Sequence, residues 1–234
     1  MLVRRLVLVF SIVCCAFLAL AVGVFGAGGG LGPGSYTFKS TSANASFGGK
    51  GDKVPQPTFA VFVNQGLNSF QAEDGEGAET VTRSTMVVFT MFNPDGTGGT
   101  SCFVIADSDF AVSENLQGAT LHTILRTDNQ CPGAGKPIGS ATQAGVLPKG
   151  GTLLLPIRVD LTWTGAHVVS VMKDRFSFTC LDRQEDGSNT FRDSLGGSSS
   201  GTIAGVTVTT LSADVASQDG QLDIQGNLTP PCFR

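Results

Sequence analysis

The densest run of side chains able to do chemistry lies between Asp182 and Asp193, where the chain reads Asp-Arg-Gln-Glu-Asp-Gly-Ser-Asn-Thr-Phe-Arg-Asp. A twelve-residue calcium loop carries oxygen ligands at its first, fifth and last positions and glycine at its sixth, where the backbone turns sharply. Asp182, Asp186 and Asp193 fall on those ligand positions and Gly187 on the glycine position. These three aspartates are therefore the candidate metal ligands, and calcium the one cofactor the sequence suggests. The match has departures. Gln184 replaces an acid or Asn, Asn189 replaces an apolar residue, and Asp193 is shorter than the bidentate Glu that usually closes the loop. The flanks read as strands instead of EF-hand helices, so an acidic, solvated loop is the competing reading.

Other chemistry is thinner. Gly197-Ser198-Ser199-Ser200-Gly201 matches G-x-S-x-G, but that motif exposes its serine only on a sharp strand-to-helix elbow. Here it sits in glycine-serine low complexity and reads as linker. The two histidines, His122 and His167, show neither metal-ligand spacing nor a triad context. Carboxylates cluster at Asp107 and Asp109, at Glu73, Asp74 and Glu76, and at Glu185 and Asp186. A glycosidase would set two such groups across a sugar cleft. Sugar clefts favour aromatics with a polar edge, whereas this chain has 16 Phe against one Trp and one Tyr. No catalytic residue is assigned.

Cys102, Cys131, Cys180 and Cys232 remain once Cys14 and Cys15, inside an apolar N-terminal run, are set aside. An even number of cysteines in an oxidising compartment reads as two disulfides. Three pairings are open; Cys102–Cys131 with Cys180–Cys232 is favoured because shorter loops close at lower entropic cost. Zinc would need close ligand pairs such as C-x₂-C, and the spacing has none.

The oxidising compartment follows from the N-terminus. Arg4 and Arg5 precede an uncharged, mostly apolar stretch from Leu6 to Phe25, followed by small residues. This is the layout of a secretory signal, and residues 1–26 are read as one. The stretch is also long enough to span a bilayer, so an uncleaved anchor is the alternative and membrane contact depends on it. The high apolarity favours the general secretory route over the twin-arginine one. Removing residues 1–26 leaves 13 Lys and Arg against 19 Asp and Glu. A net charge of −6 gives no electrostatic basis for nucleic-acid binding. The protein is expected outside the cytoplasm, secreted or in the cell envelope.

The elements that must hold these residues are strands. Residues 27–34 are a glycine-rich leader. Ile157-Arg158-Val159-Asp160-Leu161-Thr162-Trp163-Thr164 alternates apolar and polar with the period of a half-buried strand. Val169, Val171, Phe176 and Phe178 are expected to return antiparallel to it, so that residues 152–180 form one long pair around Trp163. Thr58–Val63, Val81–Phe92, Thr100–Ala106, Ala119–Thr127 and Thr202–Leu211 also read as strands. Asp107–Gly118 has room for one helical turn, and Ser217–Gln221 reads as an Asp-Gly hairpin turn. With no sustained helical period, residues 35–234 are expected to form a single all-β domain, an antiparallel β-sandwich with the jelly roll as one form of it.

Ala43-Asn44-Ala45-Ser46-Phe47 and Val159-Asp160-Leu161-Thr162-Trp163-Thr164-Gly165 resemble segments of a loose group of secreted bacterial β-rich proteins of uncharacterised function. Those carry Ala-x-Ala-Ser-Phe near the mature start and Leu-Thr-Trp-Thr-Gly later. The resemblance implies bacterial export and brings no activity. Two functional expectations follow. One is a non-enzymatic structural or interaction domain acting on a protein or envelope partner, with Asp128–Gly151 as contact loop. The other is an extracellular hydrolase with a carboxylate-based site, or a calcium-stabilised adhesin.

Overall fold

The computed structural model describes residues 32–48, 58–72, 80–93, 97–132, 145–146, 152–180 and 183–226. The expected signal segment, Pro94–Gly96, Asp182 and Cys232 lie outside these residues, as does most of the expected leader and of the expected contact loop. The fold is all-β, as the alternating pattern and the frequent turn residues require. The strands are β1 Gly34–Phe47, β2 Thr58–Ala72, β3 Thr80–Phe92, β4 Gly98–Ile105, β5 Phe110–Val112 and β6 Gly118–Leu125. They continue with the short β7 Gly145–Val146 and β8 Thr152–Leu153, then β9 Ile157–Thr164, β10 Ser170–Cys180, β11 Arg183–Asp193, β12 Gly197–Ile203 and β13 Val206–Gln225. A single turn of 3₁₀ helix at Asp107–Asp109 fills the expected helical position.

One antiparallel sheet runs in the order β4-β3-β2-β1-β13-β12-β9-β6-β5 and does not close into a barrel. The consecutive neighbours β1 to β4 are a meander, unlike the interleaved Greek keys of a jelly roll. The sheet folds over at β13. Ala213 pairs with Ala45 of β1 on one edge and with Gly197 of β12 on the other. Beyond Ala213, β1 stays in register as far as Ile224, while β11 replaces β12 on the opposite edge. β10 then pairs with β11.

Two regions result. In the body, the halves of β1, β2 and β3 near Phe47, Phe59 and Phe89 face β12, β9, β6 and β5. Phe47, Phe59, Val61 and Phe89 from one layer meet Leu121, Val159, Leu161 and Trp163 from the other in one buried apolar cluster. Each such side chain contributes about 1.5–3 kcal/mol on burial. Trp163 is 1% exposed, and its indole N–H donates to the Asn44 carbonyl 3.0 Å away across the layers. That bond satisfies the one polar group its burial would otherwise strand. In the arm, the far halves of β1, β2 and β3 continue past the body and carry β13, β11 and β10 beside them. No arm residue belongs to the central cluster.

The structure corrects three expectations. Ile157–Thr164 is the expected strand, with Ile157, Val159, Leu161 and Trp163 buried, but its partners are β6 and β12. β10 runs away from it into the arm, so residues 152–180 are not one hairpin. The polar segment after Arg183, expected as loop and linker, is strand in both its parts, β11 and β12. The expected turn at Ser217–Gln221 is the middle of the 20-residue β13. The real hairpin turn is at Ala204–Gly205, inside the segment expected as strand. Ala204 has φ 51° and Gly205 φ 76°, the two positive values of a type I′ turn. Alanine is rare at positive φ, so its identity gave no turn signal.

The expected Cys102–Cys131 disulfide is present, with the Cα atoms 5.3 Å apart. The Cys131 N–H donates to the Cys102 carbonyl at 2.9 Å, and Phe103 bridges to Gln130. Together they pin the segment after β6 against β4. The Cys180–Cys232 pairing involves a residue outside those described.

Candidate functional site

Of the three expected calcium ligands, Asp182 lies outside the described residues. Asp186 and Asp193 are both on β11. A strand turns successive side chains to opposite faces, so residues seven apart point to opposite sides. They also lie about 23 Å apart along the strand. Asp186 and Asp193 therefore do not share a cation. Asp186 accepts from Gln184 Nε2 at 2.7 Å. Its neighbour Glu185, on the other face, pairs with the buried Arg183 at 2.6 Å. Among the described residues no three His, Cys, Asp or Glu side chains come together to hold a metal ion.

The serine motif is likewise a strand feature. Ser199 is buried and donates to the Thr162 carbonyl at 3.0 Å. Gly197 and Gly201 are glycine because a Cβ would overlap the carbonyl oxygens of Thr164 and Asp160 respectively. The pattern gives a close strand–strand approach with no nucleophile elbow.

The chemistry the body does assemble lies on its outer face, where β6 and β9 run side by side. His122 stands opposite Asp160 in register. With its proton on Nδ1, His122 donates to Asp160 Oδ1 at 3.2 Å, while Arg158 Nε donates to Asp160 Oδ2 at 2.7 Å. The Arg158 hydrogen bond, aided by His122, holds the Asp160 carboxyl below the usual range. These residues line an open groove of about 510 Å³, whose far wall brings Asp109 and Asp128. Asp109 is held by the Thr123 hydroxyl at 2.8 Å. Asp107, its partner in the expected carboxylate pair, is turned elsewhere, accepting from Thr85 Oγ1 at 2.6 Å and pairing with Arg83 at 3.5 Å. Sequence reasoning missed the His122–Asp160 pair because it depends on register across two strands 38 residues apart. The second histidine, His167, is exposed in the connection leading to β10.

The arm presents two unlike faces. On one, Ser35 donates to Asp223 at 2.6 Å, Thr37 and Ser69 share a hydrogen bond of 2.7 Å, and Arg192 pairs with Asp219 at 2.6 Å. On the other, aromatic rings lie over glycines of neighbouring strands. A Cβ on Gly187 would overlap the Phe176 ring, and one on Gly220 the Phe38 ring. Tyr36 stacks on Phe70 with centroids 4.5 Å apart. Rings covering the bare backbone of a glycine restore the packing that a missing side chain removes. This apolar face continues to the outermost strand, where Met172, Phe176 and Phe178 are 55%, 50% and 42% exposed.

Body and arm join near Asp193 and Asp214. Burial, and then the charge of Asp214, pushes the Asp193 carboxyl up to about 6. Its Oδ1 is buried without a hydrogen-bond partner. Burial also raises Asp214, against the opposing effect of hydrogen bonds from the Asn44 side chain and the Gly196 backbone.

The molecule is thus of the open, antiparallel all-β class, with a sandwich body and a sheet extension. No family model matches the chain, and no curated protein does. Several solved structures align with it at low similarity. A protein proposed to be AttH, from Nitrosomonas europaea, aligns with a TM-score of 0.34 and 7% identity over 84% of this chain; the chain spans about half, 53%, of that protein. The enduracididine biosynthesis enzyme MppR, bound to the condensation product of pyruvate and imidazole 4-carboxaldehyde, aligns with a TM-score of 0.26 and 10% identity, over 82% of this chain and 88% of that one. The same enzyme with HEPES bound gives 0.25 and 10% over 84% and 87%.

Proposed function

We propose that this protein is an exported, non-enzymatic interaction domain in which the body serves as scaffold and the arm as the contacting element. One observation carries the reading. Met172, Phe176 and Phe178 stand exposed on one face of the outermost arm strand, with Asp174 between the first two, away from the central cluster. Several large apolar side chains exposed together on one strand face mark a contact site. Export is supported by the cationic-then-apolar N-terminus and by the Cys102–Cys131 disulfide, which suits an oxidising compartment. The partner is then a protein or another envelope component. The test is site-directed photo-crosslinking in the producing cells, with the reactive group placed at Met172 or Phe178 of the arm, or at Thr120 or Thr207 of the body. Adducts of discrete mass from the arm positions alone are expected. Adducts equally from body positions, or from those alone, would remove the reading.

A second reading, an extracellular hydrolase, is favoured by the His122–Asp160 pair. An imidazole oriented through Nδ1 leaves Nε2 able to take a proton from water or substrate. The groove supplies Arg158 to meet negative charge. Turnover of ester, phosphoester or glycoside substrates that is lost in His122→Ala and kept in Phe176→Ser would establish it.

A further inference from the structure

Building on the arm as the contacting element, we propose that the open edge of β10 takes up an extended segment of a partner polypeptide as an added antiparallel strand, and that this segment alternates acidic with apolar residues. β10 is an 11-residue strand in unbroken register with β11 from Ser170 to Cys180, without proline. Among the described strands it pairs with β11 alone, and residues 170–179 are exposed. A straight, unpaired edge of this kind is a template for strand addition, in which main-chain hydrogen bonds give affinity and alternate side chains give specificity.

The side chains define the specificity. Met172, Phe176 and Phe178 project on one face, and Lys173 and Arg175 on the other. Within the sheet, Lys173 stands opposite Thr190 and Arg175 opposite Ser188, so β11 sets no acid directly opposite either; its nearest acid on that face, Asp186, stands opposite Ser177 and accepts from Gln184. Neither cation takes part in the ion pairs of the described residues. A strand added on the free side brings its side chains to about 5 Å from these positions. Two acids, two residues apart, would neutralise Lys173 and Arg175. Apolar residues on the other face would cover Met172, Phe176 and Phe178, with a hydroxyl opposite Asp174.

A second copy of this chain fits the edge poorly. Residues opposite each other in an antiparallel pair share a face, and Asp174 lies on the face away from both cations. No register of two β10 strands therefore sets an acid opposite Lys173 or Arg175. Registers centred on Lys173, Asp174 or Arg175 set cation against cation, which is destabilising. The charges thus guard the edge against its own kind while the apolar row remains available to another strand.

The experiment uses the full chain and a fluorescent, end-blocked peptide, Thr-Val-Thr-Val-Glu-Ser-Glu-Val-Thr, beside a version with Lys in place of both Glu. Affinity is read by anisotropy and the site by amide exchange. The Glu peptide is expected to bind and to slow exchange in β10. The double variant Lys173→Glu/Arg175→Glu, altered only at exposed positions, should bind it about tenfold more weakly and the Lys peptide about tenfold more tightly. Equal binding of the two peptides, protection elsewhere than β10, or a peptide-free dimer with β10 protected would overturn the proposal. Arm crosslinks that persist while the Glu peptide fails to bind would leave the arm as contact element and reject strand addition at β10.

Discussion

The body and the arm share four strands, β1, β2, β3 and β13, yet they are stabilised in different ways. In the body, β1, β2 and β13 alternate core and surface residues, and every second side chain is covered by the opposite layer. Ala43, Ala45 and Phe47 are 1%, 0% and 1% exposed. A few residues earlier on β1, the same face carries Ser35, Thr37, Lys39 and Thr41; Ser35 and Thr37 hydrogen-bond to polar neighbours, and none of the four is buried under a second layer. The apolar parity also switches: Tyr36 and Phe38 occupy the face that in the body is outward. One strand thus turns its apolar side chains to opposite faces of the sheet in its two halves. Sandwich packing sustains the body, and cross-strand pairs with ring-over-glycine contacts sustain the arm.

Truncation should separate the two regions most sharply. Trp163→Ala removes the largest buried side chain of the body and orphans nothing in the arm, so a loss of about 4 kcal/mol is expected in urea unfolding. Replacing Cys102 by Ser opens the 29-residue loop to Cys131 and should cost about 3 kcal/mol. Wild-type protein under reducing conditions should show the same loss. At Gly201 an added Cβ meets backbone, the Asp160 carbonyl, and Gly201→Ala should cost about 2 kcal/mol. For the matching Gly187→Ala in the arm the three nearest atoms all belong to the exposed Phe176 ring, which can rotate away, so the change should be felt far less. If the two glycines behave alike in thermal melts, the contrast drawn here is wrong.

At the joint, Asp193 titrates near 6 in the folded protein and near 4 when unfolded. Between these values the folded state binds more protons, so this residue's contribution to stability falls as pH rises from about 4 to 6. Asp193→Asn should flatten that part of the stability–pH curve. After allowance for solvent screening it should gain about 1 kcal/mol at neutral pH. The smallest effect belongs to the arm edge: Phe176→Ala should change global stability by less than about 1 kcal/mol, because half of the ring is already in water. A larger loss would mean that the arm is a second core and not a contact surface.

The body was more legible in the sequence than the arm. Ile157–Thr164 declares its strand and its buried face because one side is apolar throughout, and a single register then fits. Cys102–Cys131 followed from loop length. The arm was hidden because its strands are polar on one face and glycine-bearing on the other. Arg183–Asp193 read as an acidic loop, just as Gly197–Gly201 in the body read as linker, since glycine and serine are poor strand formers in isolation. Gly220 read as a turn residue, whereas it makes room for Phe38, a partner 182 positions away. The His122–Asp160 groove and the Asp193–Asp214 joint arise from register alone, and local composition carries no record of register.

β13 passes as one strand from the Ala204–Gly205 turn at the edge of the body to Gln225 at the end of the arm. A pull on the arm tip is therefore carried along one covalent backbone, flanked by β1 and β11 in parallel alignment with the load. The ladder bonds along such a strand resist together in shear instead of opening one by one like a zip. If a partner engages the arm as proposed, its pull would be transmitted along this strand to the sheet that packs over the Trp163 core.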